Sequence, residues 1–218
     1  MFSQLLDLLF PPRCILCHRL LEKGERVFCS GCQSSLPILP EAEREQHLQG
    51  IEVCSSLFRY EGDIRSSLLR YKFHGLAFYG RHYAKLLVQH LSPDETACDV
   101  VTWVPLSRAR LRKRGYDQAM LIARELAKEK GIPCEKLLIK MRNAAPQSGR
   151  KSREERRSNI HGAYRLKRRA DVNGKKILLI DDIVTTGATL TECASVLSRS
   201  GAASVKAVTV ARTDLLSE

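Results

Sequence analysis

Residues 177–190 read Ile-Leu-Leu-Ile-Asp-Asp-Ile-Val-Thr-Thr-Gly-Ala-Thr-Leu. Four apolar residues of the buried-strand type bring two adjacent carboxylates, Asp181 and Asp182, to the carboxyl end of the predicted strand. A Thr-Thr-Gly turn follows, and a helix is predicted to begin near Ala188 and to end before Gly201. Ligands of open α/β sheets bind at the carboxyl ends of the strands. This stretch therefore predicts both the fold class and the position of a ligand site.

The same stretch has the chemistry of a sugar-phosphate site. The free N–H groups and the dipole at a helix N-terminus favour an anion, and Gly187 allows the backbone to approach it closely. The hydroxyls of Thr185, Thr186 and Thr189 add hydrogen-bond donors. Carboxylates next to such a turn fit a ligand whose sugar hydroxyls lie beside a phosphate. The alternative is an ordinary strand–turn–helix with an Asp-rich cap.

Outward from this stretch, strands and helices alternate along the chain. Strands are predicted for residues 51–60, 100–104, 137–139, 163–167 and 204–211, and helices for 64–71, 78–91 and 118–130. This alternation predicts an α/β domain with a mainly parallel sheet. The acidic segment 37–49 is predicted to be loop-like. The polar, basic segment 143–159 is long for a loop, which is typical of a functional or a disordered segment.

The eight cysteines fall into a set of four and four single residues. The set has the spacing C-x2-C-x11-C-x2-C and consists of Cys14, Cys17, Cys29 and Cys32. Two such pairs can converge tetrahedrally on one Zn²⁺, and we predict a structural zinc site. An iron–sulfur cluster or a redox pair is the alternative. Residues 1–50 are thus predicted to form a zinc-binding module and residues 51–218 the α/β domain.

The charge of the chain is concentrated in its central third. The 218 residues carry 36 Lys and Arg against 24 Asp and Glu, a formal net charge of +12. Residues 103–170 hold 20 of those cations and 6 of the acids. With 44% hydrophobic and 28% charged residues, wholesale disorder is excluded. The surplus predicts an anionic partner, whether nucleic acid, a polyphosphate metabolite or an acidic membrane face, although a solvated charge run has the same composition.

The N-terminal decapeptide is apolar, but its composition predicts neither a signal peptide nor a membrane span. Residues 1–10 contain no Lys or Arg, and Asp7 interrupts the apolar run. They predict a short amphipathic helix that ends at Pro11 and packs on its own domain. Docking to a membrane or a partner is the alternative. We therefore expect no membrane span and a cytoplasmic protein.

Residues 180–189 resemble the fingerprint of type I phosphoribosyltransferases, which bind phosphoribosyl pyrophosphate (PRPP) with Mg²⁺. The Cys-x-x-Cys pairs, Val104-Pro105-Leu106, Arg114-Gly115-Tyr116-Asp117-Gln118 and the segment 69–75 are similar to the ComF family of competence proteins (ComFC/GntX-like). This resemblance covers nearly the whole chain. It implies a type I phosphoribosyltransferase fold, with a mainly parallel twisted sheet flanked by helices and a small N-terminal zinc-binding module.

The resemblance also implies a set of site residues, and it implies that the loop after the strand ending at Pro105, with its five cations in residues 108–114, holds the pyrophosphate. The predicted PRPP-binding residues are Asp181, Asp182, Val184, Thr185, Thr186, Gly187, Ala188, Thr189, Leu106, Ser107, Arg108 and Lys72. The predicted catalytic residues are Asp181, Asp182 and Arg156, the last in a segment expected to close over the reacting centre. The predicted nucleic-acid-binding residues are Arg110, Arg112, Lys113, Arg114, Arg150, Lys151, Arg153 and Arg157.

The function implied is that of a PRPP-binding, phosphoribosyltransferase-like protein acting in natural competence or DNA uptake. Two alternatives stay open: a single-stranded-DNA-binding competence factor, and a PRPP sensor without turnover. The expected cofactors are structural Zn²⁺ and Mg²⁺ bound with PRPP. The expected partners are PRPP, single-stranded DNA and other competence proteins such as a DNA helicase or translocase.

Overall fold

The computed structural model of the chain describes residues 11–141 and 161–213, which contain a five-stranded sheet, a two-stranded ribbon and eight helices. The helices are α1 Ser30–Ser34, α2 Glu41–Arg44, α3 Gly62–Phe73, α4 Tyr79–His90, α5 Pro93–Thr96, α6 Arg108–Arg114, α7 Gln118–Lys130 and α8 Ala188–Arg199. The strands are β1 Glu45–Gln46, β2 Cys54–Arg59, β3 Val100–Trp103, β4 Leu138–Lys140, β5 Tyr164–Leu166, β6 Lys176–Val184 and β7 Ser204–Arg212. The helix predicted for residues 1–10 lies outside the described residues.

The main sheet has the strand order β1-β2-β7-β6-β3. Strands β2, β7, β6 and β3 are parallel, and the two-residue strand β1 pairs antiparallel with β2. Trp103 of β3 lies opposite Ile180 of β6, so both strands end at the same side of the sheet. Strands β4 and β5 form a separate antiparallel ribbon. The mainly parallel α/β sheet predicted from the sequence is confirmed.

Strand β6 shows why the sheet is buried on both faces. Leu178 and Ile180 belong to one apolar cluster, and Ile177 and Leu179 belong to the other. Successive side chains of a strand point to opposite faces, and parallel sheets are covered on both. Helices α3, α4 and α7 and part of the N-terminal module pack on the first face. Helix α8 packs on the second face. The four parallel strands β2, β7, β6 and β3 and the helices on their two faces therefore form one layered core.

Local signals set the ends of the two helices that border the site. The Asp117 carboxylate accepts a hydrogen bond from the Met120 backbone N–H at 3.3 Å and thereby caps α7. That helix ends at Gly131, whose φ of +66° places it in the left-handed region. Helix α8 begins after Gly187, which also has a positive φ, of +73°. The predicted helices 118–130 and 188–200 agree with these bounds.

Two segments differ from the expectation of loops. Residues 108–114 form helix α6, because the Ser107 side chain accepts from the Arg110 N–H at 3.3 Å and Gly115, at φ +81°, ends the helix. Within the segment 37–49, helix α2 and strand β1 replace the expected loop. The pyrophosphate loop expected after β3 is thus only the short Pro105–Ser107 connection.

The N-terminal module is attached to helix α3 through its first cysteine knuckle. Ser67 donates a hydrogen bond to the carbonyl of Ile15, and the Arg70 guanidinium donates to the carbonyls of Ile15 and Leu16. Both apolar side chains are buried in the same cluster as α3. The module is therefore joined to the main core rather than suspended on a linker. Within the described residues, none of the helices has the length and apolar character needed to cross a membrane.

Candidate functional site

A cleft of about 140 Å³ lies at the carboxyl ends of β3 and β6. Its walls come from both strands, from the start of α7, from the end of α3 and from the β4–β5 ribbon. The lining residues are Lys72, Val104, Pro105, Leu106, Arg110, Arg114, Asp117, Gln118, Ala119, Lys140, Tyr164, Asp181, Asp182 and Thr189. The cleft therefore brings together five separate segments of the chain at the place predicted from the strand–turn–helix stretch.

The two aspartates of the cleft have different environments. Asp182 forms an ion pair with Lys72, whose Nζ lies 3.0 Å from its Oδ1. The Asp182 backbone N–H donates to the Asp181 carboxylate at 2.8 Å. Desolvation, reinforced by the charge of Asp182, raises the pKa of Asp181 to about 8. One carboxylate is thus paired with a cation, while the other holds a proton more readily than a solvated aspartate.

Gln118 brings an unsatisfied donor to the cleft. Its side chain is buried, and its Oε1 accepts a hydrogen bond from Arg114 at 2.9 Å. Among the residues that the structure describes, its buried Nε2 has no acceptor within hydrogen-bond distance, although the Gln118 side chain also interacts with the Tyr116 hydroxyl. A buried donor that lacks an acceptor costs about 1–3 kcal/mol. An oxygen of a ligand in the cleft would satisfy this group.

The turn between β6 and α8 shows how the predicted phosphate-binding residues are placed. Thr189 lines the cleft, Thr185 is exposed, and the Val184 side chain is buried in the core, so only its backbone can face a ligand. The N-cap of α8 is Gly187, which has no side chain with which to cap the first N–H groups of the helix. A Cβ on Gly187 would overlap the Leu48 side chain. Leu48 thus packs against the backbone of the turn. Thr186 and Ala188 are half-buried beside it.

The segment after β3 is held by Asp117, which accepts from the Leu106 N–H at 2.9 Å. Helix α6 then distributes its cations between two cavities. Arg110 and Arg114, predicted for nucleic acid, line the cleft, whereas Arg108, predicted for PRPP, lines the neighbouring cavity together with Ser107.

That neighbouring cavity, here called the basic cavity, has a volume of about 460 Å³. Among the described residues, its lining contains five cations and no carboxylate: Arg108, Arg112, Lys136, Lys140 and Arg165. Lys140 and the Pro105–Leu106 connection separate it from the cleft. Lys113 is exposed on α6 and lines neither cavity. The predicted site residues Arg150, Lys151, Arg153, Arg156 and Arg157 lie outside the described residues.

Lys140 was missed by the sequence analysis, as was its partner Tyr164. The Lys140 ammonium donates to the Tyr164 hydroxyl at 2.7 Å and lies 4.7 Å from the centre of its ring. Burial lowers the pKa of Lys140. Only the pairing of β4 with β5 brings the two residues together, so no local pattern indicated them. Gln118 is different, because it stood in a motif already singled out but was given no role.

The four cysteines of the N-terminal module converge as the spacing predicts. The sulfur atoms of Cys14, Cys17, Cys29 and Cys32 all lie within 4.8 Å of one another. Four thiolates tetrahedral around one Zn²⁺ would be about 3.8 Å apart, so the cluster fits the ion after small adjustments. A hydrogen bond from the Cys32 backbone N–H lowers the pKa of the Cys29 thiol to about 7, which favours the metal-binding thiolate.

Comparisons with known proteins agree with both parts of this chain. A family model described as phosphoribosyl transferase domain matches residues 111–214, and one described as double zinc ribbon domain matches residues 5–43. The chain is 26% identical to Competence protein F of Haemophilus influenzae, over 92% of this chain and 96% of that protein. It is 28% identical to Competence protein ComFC of Streptococcus pneumoniae, over 92% of this chain and 100% of that protein.

Other similarities cover a smaller part of the molecules. DNA utilization protein YhgH of Salmonella typhi is 34% identical over 53% of this chain, which spans 50% of that relative. Among solved structures, glutamine PRPP amidotransferase from B. subtilis, complexed with ADP and GMP, is 26% identical with a TM-score of 0.42, over 62% of this chain and 26% of that one. Purine phosphoribosyltransferase from Pyrococcus horikoshii is 18% identical with a TM-score of 0.36, over 63% of this chain and 85% of that one.

Proposed function

The chain is a zinc-containing, phosphoribosyltransferase-like protein of the ComF family, and from this premise we propose that it binds PRPP with Mg²⁺ in the cleft. The predicted phosphoribosyltransferase fold with a small N-terminal zinc module is confirmed. The four-cysteine cluster and the zinc ribbon match support a structural zinc. The names of the relatives support a role in competence and DNA use, which we propose for a cytoplasmic protein.

The unsatisfied Nε2 of Gln118 is the observation that carries the PRPP proposal. It lies in a cleft that also presents the paired carboxylates, the Lys72 ammonium and the Thr189 hydroxyl group. A ligand with many oxygen atoms, both hydroxyl and phosphate, satisfies this combination of donors, cations and acceptors. A purely apolar ligand would leave the Gln118 donor unpaired, and that favours a sugar phosphate.

In this proposal each group has one task. The turn from Thr185 to Thr189 and the start of α8 bind the 5′-phosphate, and Asp181 and Asp182 accept hydrogen bonds from the ribose hydroxyls. Lys72, with Arg110 and Arg114, offsets negative charge on the pyrophosphate as it leaves. Arg156 is proposed as a further cation at the reacting centre.

Magnesium would act beside these groups. Carboxylate oxygens are ligands that Mg²⁺ prefers, and Asp181 and Asp182 provide them at the carboxyl end of β6. When bound, the ion supplies charge neutralisation for the pyrophosphate oxygens. The chain's own contribution is positioning, because Asp117 fixes the Leu106 backbone and Lys72 fixes Asp182.

Calorimetry with PRPP and MgCl₂ tests the proposal. Asp181→Asn/Asp182→Asn should abolish binding, whereas Asp171→Asn, an exposed aspartate outside the cleft, should leave it unchanged. Gln118→Leu removes the buried donor together with the Oε1 that accepts from Arg114, so the free protein should lose no more than about 0.5–1.5 kcal/mol of stability, the size of that one hydrogen bond. The same variant should lose PRPP affinity by roughly tenfold, the size of one hydrogen bond. Unchanged PRPP affinity in both the Asp181→Asn/Asp182→Asn and the Gln118→Leu variants would refute the proposal.

Turnover requires a separate measurement. We propose that the chain transfers the phosphoribosyl group, and pyrophosphate release in the presence of PRPP and a panel of nucleobases and amines measures this. Tight binding without release for any acceptor would instead favour the PRPP sensor.

Single-stranded DNA binding is a second proposed function, and the basic cavity favours it. Five cations without a carboxylate in one lining form a surface that attracts a phosphate backbone. In this proposal PRPP binds to the cations of the cleft. Four cations of the basic cavity then remain available to bind another anion: Arg108, Arg112, Lys136 and Arg165. We propose that the two ligands bind to adjacent cavities and that other competence proteins, such as a helicase or translocase, deliver or receive the strand.

A further inference from the structure

A groove of about 560 Å³ lies between the N-terminal module and the start of helix α3. It shares no lining residue with the cleft or with the basic cavity. Its volume is within the range of about 300–1,000 Å³ that is typical of ligand pockets in proteins. We call it the acidic groove, after the carboxylates among its charged lining residues, which are Glu43, Arg59, Glu61 and Asp63.

The rest of the acidic groove is largely apolar and firmly held. Ile38 and Leu39 are fixed to β2, the first by an antiparallel β-bridge and the second by a backbone hydrogen bond of 2.9 Å. Its apolar lining residues are Leu16, Pro37, Ile38, Leu39, Pro40 and Ile64. Leu16, Leu39 and Ile64 are buried, whereas Pro37 and Pro40 are exposed. A preformed apolar surface of this kind gains free energy when an apolar side chain covers it.

The charge of this groove is opposite in sign to that of the whole chain, which is +12. Of its three carboxylates, Glu43 forms an ion pair with Arg59. Glu61 and Asp63 are exposed, and within residues 11–141 and 161–213 neither has a cationic partner. Two carboxylates without a partner therefore lie beside an apolar surface.

The local structure accounts for one of these two carboxylates. Asp63 lies in the first turn of α3, where the helix dipole favours a negative charge. Glu61 is the N-cap of the same helix, but its side chain makes no capping hydrogen bond. Short polar side chains such as Ser or Asp are the usual N-caps, so a Glu at this position is not explained by capping. Its carboxylate is available to a ligand in the groove.

The chemistry of the groove selects among classes of ligand. Glu61 and Asp63 repel phosphate groups, which disfavours the sugar phosphate and the nucleic acid proposed for the other two sites. A hydrated metal ion would leave the apolar lining uncovered. A peptide segment that carries both apolar and cationic side chains matches both parts of the lining.

We propose that the acidic groove binds a segment of a partner protein in which apolar side chains lie next to Lys or Arg. Burial of the apolar side chains supplies most of the affinity. The cations of the segment pair with Glu61 and Asp63, which orients the segment and speeds its association. The inference goes beyond the proposed function, because it requires neither PRPP nor DNA.

Panning a phage-displayed library of random dodecapeptides on the zinc-loaded, full-length protein tests the proposal. The cationic surfaces of the chain will also select acidic peptides, so fluorescence polarisation measures the affinity of each selected peptide for two groove variants. Glu61→Gln/Asp63→Asn should weaken a groove-binding peptide about 2- to 30-fold, the combined size of two exposed ion pairs. Ile38→Ala should weaken the same peptide about 4- to 50-fold, the loss of one to three buried methylene groups.

Asp94→Asn/Glu135→Gln is the matched control, because it removes two exposed carboxylates that do not line the groove. Its affinity for groove-binding peptides should equal that of the unsubstituted protein. Zinc content and urea unfolding establish that each variant is folded. If Ile38→Ala does not fold, Pro37→Ser replaces it, since Pro37 is an exposed residue of the same lining.

Peptides that respond to both groove variants and combine Lys or Arg with Leu, Ile, Val or Phe support the proposal. It is overturned if no selected peptide responds to both variants, or if the responding peptides carry no cation. Sedimentation of the unsubstituted protein tests for a second copy as the occupant. Self-association that Glu61→Gln/Asp63→Asn abolishes would assign the groove to that copy, and peptide binding that requires deletion of residues 1–10 would assign it to the chain itself; both results overturn the proposal.

Discussion

Single residues at the two ends of the turn between β6 and α8, the proposed phosphate-binding turn, meet two constraints at once. Gly187 needs a left-handed backbone, at φ +73°, and its missing side chain leaves the space that Leu48 occupies. Asp181, at the other end of the turn, lies where desolvation opposes its negative charge. The surrounding fold therefore determines which residue fits at position 187 and raises the pKa of Asp181. Each effect leads to a measurable prediction.

Gly187→Ala should destabilise the protein by more than the conformational cost alone. An L-residue in the left-handed region costs about 1–2 kcal/mol, and here the new Cβ also meets Leu48. Gly174→Ala is the control, because Gly174 has a φ of +67° but no atom within 4 Å of a Cβ. Urea unfolding should rank Gly187→Ala below Gly174→Ala. Adding Leu48→Ala should cancel the difference, and equal stability of the two single variants would contradict the contact.

PRPP affinity should rise as the pH rises through about 8, because the raised pKa of Asp181 leaves this carboxyl protonated below that value. Accepting hydrogen bonds from ribose hydroxyls requires the ionised form, so binding near neutral pH should release a proton. Calorimetry in two buffers with different ionisation enthalpies counts that proton. Asp181→Asn controls for the titration of PRPP itself. Equal proton release by this variant and the parent protein would assign the proton to the ligand.

At the scale of elements, helix α3 joins the two halves of the molecule. Ser67 and Arg70 on one side bind the carbonyls of the first cysteine knuckle, and Lys72 on the other pairs with Asp182 in the cleft. The helix thus links the four-cysteine cluster to the cleft through these hydrogen bonds and this ion pair. Displacing the knuckle would move the Lys72 ammonium.

Arg70→Met should loosen both sites, because it deletes the charged donor that holds Ile15 and Leu16. Hydrogen bonds from a charged group contribute about 1.5–3 kcal/mol, and unfolding free energy should fall by that amount. Zinc transfer to a chelating dye should become faster, and PRPP affinity should decrease. Arg65→Met, on the exposed side of the same helix, should change neither. If the two variants behave alike, the helix does not couple the sites.

Elements with strong local signals were predictable, whereas contacts between elements were not. The glycine ends of α7 and α8 are signals in consecutive residues, so the predicted ends of these helices agree with the structure to within one residue. The apolar run of β6 predicted the strand and its start, but the strand continues to Val184, three residues beyond the predicted end at Asp181. Helix α6 was missed because five cations suggested a ligand loop, although Ser107 and Gly115 were readable as its two caps. The roles of Gln118 and Leu48 depend on tertiary neighbours, which no sequence period indicates.

At the scale of the whole molecule, the cations of the central segment lie at two different sites. Among the described residues, part of the central surplus of cations lies in the cleft, which Arg110 and Arg114 line together with the aspartates, and part lies in the basic cavity, whose lining holds no carboxylate. The proposed binding of PRPP would account for the first group of cations and leaves the second unexplained. Long-range attraction of a polyanion therefore depends chiefly on the cavity, and its affinity should respond strongly to salt.

Single-stranded DNA affinity should fall steeply with salt. Each phosphate contact contributes about −0.7 to the slope of log K against log salt concentration, so five contacts would give a slope of about −3.5. Arg108→Gln/Arg165→Gln should reduce the slope by about 1.4. Arg168→Gln/Arg169→Gln removes the same charge from exposed residues outside the cavity and should leave the slope largely unchanged. A flat slope for the parent protein would contradict a DNA-binding role for this cavity.

The segment between the cysteines and the sheet also protects the protein from self-association. Ile38 forms an antiparallel β-bridge with Phe58, and the Leu39 N–H donates to the Leu57 carbonyl. Strand β1 pairs with the same edge of β2. Expressed without its first fifty residues, the domain would present β2 as a bare, apolar sheet edge, the usual template for aggregation. The module thus acts as a cap for the sheet as well as a metal site, so insolubility of the shortened domain would be an expected result of its removal.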